Sequence, residues 1–131
     1  MILVDTSVWI EFLRGKEPIA TELEQLLDGA RVCTIEPIFG ELLQGCKNKP
    51  ETNRVLAYWQ DVPRVEVQEL LIAAGQYSSE HGLTTKGLAL TDSAILVASH
   101  LEKCHVWTLD KNLLASVPIG ARYKFSPTHG V

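Results

Sequence analysis

The 131-residue chain is 46% hydrophobic and 21% charged, which allows a packed core and argues against disorder. No apolar run approaches the ~18 residues that cross a bilayer, and the three cysteines lack a CxxC spacing. We therefore expect one domain over residues 1–131, cytoplasmic, with reduced thiols and no membrane contact. The net charge of −4 argues against broad, charge-driven binding of nucleic acid.

Short apolar runs alternate with helical patterns along the chain. Strands are predicted at residues 2–5, 31–35, 61–67, 104–109 and 119–125. Helices are predicted at residues 8–13, 18–27, 37–45, 51–60, 68–81, 91–102 and 110–116. The remaining longer segments are predicted to be a loop at residues 84–90 and a loose tail at residues 126–131. This alternation predicts an α/β domain of three layers with a mostly parallel sheet.

Four acidic residues stand at the ends of these elements or on the edge of a helix. Asp5 and Asp110 each follow an apolar strand, and Asp92 lies in the first turn of a helix. Glu41 lies beside the apolar stripe of another helix. Ligands of parallel α/β folds bind outside the carboxyl ends of the strands, so these four side chains are candidates for one site.

Each of these acids also has a structural alternative. Asp5 can cap the helix that follows it, although Thr6 and Ser7 can do so equally well. Asp92 can interact with the helix dipole, and Asp110 can stabilise a turn. Glutamates such as Glu41 are also common on helix surfaces, where the carboxylate reaches solvent.

The joint pattern favours metal chemistry over these alternatives. Carboxylates from different elements supply the hard oxygen ligands that Mg²⁺ or Mn²⁺ prefers. Such an ion polarises a phosphoryl oxygen and activates a water, so a phosphate ester can be hydrolysed without a histidine. The four acids together carry as much charge as the net −4 of the chain, so cation binding would remove the repulsion of RNA.

Four segments in this order resemble the PIN-domain family, and most closely its VapC-type toxin ribonucleases. They are DTSVWI at residues 5–10, ELLQG at 41–45, LTDSAILVA at 90–98 and VWTLD at 106–110. Their spacing agrees with the family, and the resemblance extends to about residue 125. Two positions after the last motif depart from the family pattern, because Asn112 and Leu113 stand where an acid and an aromatic residue are common.

The resemblance implies an α/β/α sandwich with about five parallel strands, and an endoribonuclease that hydrolyses RNA phosphodiesters with Mg²⁺ or Mn²⁺. It implies a homodimer that is inhibited by a cognate antitoxin, whose peptide occupies the groove near the acids. The metal ligands that it implies are Asp5, Glu41, Asp92 and Asp110. The supporting residues that it implies are Thr6 or Ser7, which assist the metal or its water, and Thr108 behind the ligands.

Basic residues near the acid-bearing elements are candidates for RNA contact. They are Arg14, Lys47, Lys49, Lys86 and Lys111. Two rival functions remain open at this point. A phosphoryl-accepting receiver module has a similar size but needs paired acids after the first strand and a lysine at a strand end, whereas Asp5 stands alone. The second rival is a PIN-like binding protein without catalytic activity.

Overall fold

The centre of the fold is a parallel sheet, which the computed structural model shows together with the rest of residues 1–125. Its strands are β1 (Ile2–Val4), β2 (Val32–Cys33) and β3 (His105–Trp107), in the order β2-β1-β3. Both neighbours run parallel to β1, which is buried along its whole length. The predicted α/β class and parallel sheet are therefore confirmed. The predicted tail at residues 126–131 lies outside the described residues.

Helices connect and cover these strands. They are α1 (Thr6–Leu13), α2 (Ile19–Asp28), α3 (Glu36–Gln44), α4 (Lys49–Asp61), α5 (Leu70–His81), α6 (Leu90–Glu102) and α7 (Lys111–Ser116). Short 3₁₀ turns lie at Leu83–Lys86, within the predicted loop, and at Ile119–Ala121. Helix α4 begins two residues earlier than predicted, because the Asn48 side chain caps it by accepting the backbone N–H of Glu51. No helix in the described part of the chain is long and apolar enough to cross a membrane.

The expectation of about five strands is wrong, because residues 1–125 contain three strands and two isolated bridges. The predicted strand at 61–67 pairs only through Arg64 and Thr34, next to Pro63, which has no N–H to donate. The predicted strand at 119–125 pairs only through Arg122 and Val106, since the preceding residues form a 3₁₀ turn. Outside each edge strand, the pairing therefore continues through a single residue pair.

Trp9 on α1 holds the acid-bearing end of this helix in place. Its ring is fully buried and packs against Phe12, Phe39 and Tyr58, with centroid separations of 5.7, 5.2 and 5.6 Å. These edge-on and tilted contacts connect α1 with α3 and α4. Trp9 therefore belongs to the core and is not available to stack on a nucleobase.

Gly87, which follows the first 3₁₀ turn, has a backbone that other residues rarely adopt. Its φ is +80°, and a Cβ there would lie 2.9 Å from Nδ2 of Asn112. We expect Gly87→Ala to lower the free energy of unfolding by about 1–2 kcal/mol. The matched variant is Gly75→Ala in α5, where an added Cβ would meet no atom of another element within 4 Å. This variant should raise the free energy of unfolding by about 0.5–1 kcal/mol. Urea unfolding followed by circular dichroism measures both, and equal effects would contradict this account.

Candidate active site

The four acids predicted from the sequence lie in one region of the fold. Burial is the largest cause that raises the pKa of the Asp92 carboxyl above its ordinary value, and the backbone N–H of Ala89 opposes this rise. The negative charges of Asp5, Asp110 and Glu41 then raise that pKa further. Since charge effects of this kind fall off with distance, Asp5, Asp110 and Glu41 lie within electrostatic reach of Asp92, although they belong to different segments of the chain.

Asp5 is a buried carboxylate that does not cap the helix after it. It occupies the residue before α1 and is 5% exposed, yet its side chain accepts no hydrogen bond from the helix backbone. Its Oδ2 atom instead accepts hydrogen bonds from Ser7 Oγ and Thr108 Oγ1, both at 2.7 Å. The expectation that Thr6 or Ser7 caps this helix is also wrong, because α1 already includes both residues and their hydroxyls donate to carboxylates.

The two hydroxyls at Asp5 lie 3.4 Å from each other but closer to its carboxylate, which can only accept hydrogen bonds. Ser7 Oγ accepts the backbone N–H of Leu109 at 3.0 Å, and Thr108 Oγ1 accepts that of Asp110 at 3.0 Å. Each hydroxyl has a single proton, which therefore goes to Oδ2 of Asp5. Within residues 1–125, Oδ1 of Asp5 accepts no hydrogen bond and is left for another ligand.

The other three carboxylates each use one oxygen in a protein hydrogen bond. Glu41, on the exposed side of α3, accepts from Thr6 Oγ1 at 2.8 Å through Oε1. Asp92 accepts from the backbone N–H of Ala89 at 2.8 Å through Oδ2. Asp110 caps α7 with its Oδ1 atom, which accepts two backbone N–H groups. Asp110 thus performs the structural role that the sequence offered as an alternative, with one of its two oxygens.

The chemistry of these donors fits a hard divalent cation. In the described part of the chain, the second oxygen of each of the four carboxylates has no protein hydrogen bond. The carboxylates of Asp5, Asp110 and Glu41 add to the effect of burial in raising the pKa of Asp92, so their negative charges act on the same site. No group of three or more His, Cys, Asp or Glu among residues 1–125 already has the geometry of a metal site. The fit therefore rests on the type of the donors and on their common location.

A groove of about 380 Å³ adjoins Glu41 and contains two of the five predicted basic residues, Arg14 and Lys47. Its apolar lining comes from Ile10, Leu13, Leu42 and Val55. Arg54 lies in the same groove, where Nη1 donates to the backbone oxygen of Leu13 at 2.9 Å. The sequence gives no indication of this, because Arg54 lies on a helix without a site acid. The other predicted residues, Lys49, Lys86 and Lys111, are exposed outside this groove.

Comparison with known proteins identifies the family of this chain. The family model described as PIN domain matches residues 2–119, which is most of the chain. The chain belongs to the PIN-domain family. This PIN domain is 34% identical to ribonuclease VapC32 of Mycobacterium tuberculosis over 117 residues, which cover 88% of this chain and 90% of that protein.

Other relatives are matched over a shorter part. Ribonuclease VapC11 of Mycobacterium tuberculosis is 34% identical over 83 residues, so that the match spans 62% of its length. Among solved structures, a toxin–antitoxin complex from Klebsiella pneumoniae superposes with a TM-score of 0.69 at 18% identity, covering 90% of this chain and 93% of that one. VapBC2 from Rickettsia felis superposes with a TM-score of 0.65 at 17% identity, covering 90% and 94%. These structures confirm the PIN fold.

The raised pKa of Asp92 predicts how this PIN domain responds to pH without metal. The folded state disfavours ionised Asp92, so a stability penalty is present above the folded-state pKa and disappears as the pH falls below about 4. We expect Asp92→Asn, which can still accept from Ala89, to raise the Tm in EDTA at pH 7 by ~1–3 °C, a small value because Asp92 is only half-buried. The gain should vanish near pH 3.5.

Calorimetry at both pH values, with the exposed Glu24→Gln on α2 as control, measures this effect. In millimolar Mg²⁺ we expect wild type to have the higher Tm, since it keeps the carboxylate that is predicted to bind the cation and the variant has lost it. An equal Tm gain at both pH values would show that the carboxylate is not electrostatically strained.

Proposed function

We propose that this PIN domain is a divalent-metal-dependent endoribonuclease that hydrolyses RNA phosphodiester bonds and acts as the toxin of a toxin–antitoxin pair. The observation that carries the proposal is that the charges of three other carboxylates act on Asp92, together with the free oxygen of buried Asp5. The name of VapC32, a ribonuclease matched over 90% of its length, supports the activity. The toxin–antitoxin complexes among the structures of the same fold are consistent with the biological role.

In this proposal Asp5, Glu41, Asp92 and Asp110 hold Mg²⁺ or Mn²⁺. When bound, the cation would stabilise negative charge on the phosphoryl group and increase the acidity of a bound water. Asp5 presents Oδ1 because Ser7 and Thr108 hold Oδ2. Thr6 orients Glu41 from the neighbouring helix. These hydroxyls thus fix two of the four carboxylates before the cation binds, which lowers the cost of assembling the site.

The basic residues have the complementary role of binding RNA phosphates. Arg14 and Lys47, which share the groove beside Glu41, are the first candidates, and Arg54 joins them there. The other candidates are Lys49, Lys86 and Lys111. With a chain charge of −4, RNA binding depends on these local cations and on neutralisation of the acids, so affinity should fall steeply with salt.

The proposed partners follow from the same surface. We propose that a cognate antitoxin places a peptide in the groove lined by Ile10, Leu13 and Val55, whose apolar walls and charged rim of both signs suit an amphipathic segment. We also propose that the protein is a homodimer, which light scattering of the purified chain tests. Occupation of the groove would block RNA from Arg14 and Lys47 and would thereby inhibit cleavage.

The deciding experiment is cleavage of a labelled structured RNA by the purified protein. We expect cleavage in millimolar Mg²⁺, at least ~100-fold less in excess EDTA, and recovery when Mg²⁺ is returned. A PIN-like binding protein without activity would bind the RNA and leave it intact. A receiver-like module would take up phosphate from acetyl phosphate, which the absence of a second acid beside Asp5 argues against. Growth arrest that is relieved by co-expression of the neighbouring gene product would establish the toxin role.

A further inference from the structure

The sheet has an open edge next to β2, on the segment at residues 63–67. The inner side of this segment pairs with β2, because Thr34 N donates to Pro63 O at 3.0 Å and Val65 N donates to Thr34 O at 2.8 Å. Backbone groups alternate in direction along an extended chain, so those of Arg64 and Glu66 face away from the sheet. Among residues 1–125, these outward N–H and C=O groups have no hydrogen-bond partner. Such an edge can accept another strand.

A groove of about 790 Å³, larger than the one beside Glu41, runs along this edge. Its lining includes the half-buried Val65 and Val67 and two strongly exposed residues of α5, Leu71 at 48% and Ile72 at 70%. These two neighbouring aliphatic side chains lie in the same groove as the unpaired backbone groups of the edge. The groove therefore offers both backbone hydrogen bonds and apolar contacts, which are the two components of strand addition.

The charges in the groove determine what kind of segment fits. Glu36, Glu66 and Glu69 all line it, and they are exposed. Arg64 is the one basic residue in the lining, and its guanidinium already stacks on the Trp59 ring at 3.6 Å from the centroid and donates to Trp59 O. Uncompensated negative charge repels RNA phosphates. It also disfavours a symmetric contact with a second copy, which would bring the same glutamates together.

We propose that this groove binds an extended peptide with alternating basic and apolar residues, which adds a strand to the sheet at Arg64–Glu66. Its backbone pairs with the free groups of these two residues. Its apolar side chains contact Ile72 and Leu71, and its basic side chains pair with the glutamates. The groove and its lining contain none of the four active-site acids, so the site is independent of the proposed ribonuclease activity.

The test uses fluorescein-labelled peptides and the full-length protein. A peptide of four Lys-Val repeats should bind at least ~10-fold more tightly than one of four Glu-Val repeats in fluorescence anisotropy, because only the charge differs. Amide resonances of Arg64 and Glu66 should shift in NMR spectra. Glu66→Pro removes one of the unpaired N–H groups and should weaken binding at least ~10-fold. Ile72→Glu should do the same, whereas Ile119→Glu, at an equally exposed position of 71%, should not.

Several outcomes would overturn the proposal. These are equal affinity for the two peptides, amide shifts that fall at Arg14 and Lys47 instead of the edge, and displacement of the peptide by an octanucleotide RNA. Self-association that Ile72→Glu abolishes and Ile119→Glu preserves would assign the groove to a second copy of the chain. RNA cleavage by Ile72→Glu at the wild-type rate, with an unchanged Tm, establishes that lost peptide binding is not caused by misfolding.

Discussion

Asp5→Asn is expected to reduce kcat for RNA cleavage on the order of 1,000-fold while leaving the fold intact. The asparagine has the shape of the carboxylate, and its side-chain oxygen can still accept from Ser7 and Thr108. It lacks the negative charge that the proposed cation requires at the unpaired oxygen. Rates measured with a labelled RNA over a series of Mg²⁺ concentrations should show a loss that saturating metal does not restore.

The control separates this effect from a general change in charge. Glu24→Gln removes one negative charge from the exposed surface of α2 and should leave kcat within about twofold of wild type. Circular dichroism and the Tm in EDTA establish that Asp5→Asn is folded. If Asp5→Asn cleaves at the wild-type rate in the same buffer, the proposed role of the acids is wrong, whatever the effect on stability.

The sequence carries enough information to predict most of this site at the level of chain segments. An apolar strand that ends in Asp5, and another that ends before Asp110, place two carboxylates at one end of a parallel sheet. The motif around Asp92 places a third in the first turn of a helix packed beside them. Their common location follows from the topology, which alternation of strands and helices predicts from the sequence.

The hydrogen bonds that orient these acids could not be predicted in the same way. Ser7 and Thr108 are 101 residues apart and meet at Asp5 only because β1 and β3 are neighbours in the register of the sheet. A threonine next to an acid in sequence usually indicates a helix cap, and Thr6 instead donates across to Glu41 on α3. The capping preference is not realised here because α1 already includes Thr6 and Ser7, and the carboxylates of Glu41 and Asp5 accept the protons of their hydroxyls.

The prediction of two further strands at the edges of the sheet was wrong for a related reason. Apolar alternation at residues 61–67 has the pattern of a strand, but pairing also requires backbone N–H groups and a partner of equal length. Pro63 removes one donor, and β2 extends for only two residues. The sequence predicts which residues become extended and half-buried, as Val65 and Val67 are, without fixing how many of them pair.

Thr108→Val is expected to impair both stability and activity, because its hydroxyl joins two of the site acids. Valine preserves the shape but leaves Asp5 Oδ2 with one donor fewer and the Asp110 N–H without its acceptor. We expect the free energy of unfolding to fall by about 1–3 kcal/mol, the cost of unsatisfied buried polar groups. Lost positioning of Asp5 should reduce activity by about 10–100-fold and raise the Mg²⁺ concentration needed for half-maximal cleavage.

The chain contains a matched control for this variant. Thr34 is also a buried threonine, 0% exposed, but within residues 1–125 its hydroxyl makes a single long contact of 3.4 Å, to Ile35 O. Thr34→Val should therefore leave the Mg²⁺ dependence unchanged and alter stability by less than about 1 kcal/mol. Thr108→Ser keeps the hydroxyl and should recover the wild-type Mg²⁺ dependence. If Thr108→Val keeps the wild-type Mg²⁺ dependence while Thr108→Ser loses it, the methyl group of Thr108 matters and its hydroxyl does not, because only the valine variant lacks the donor to Asp5.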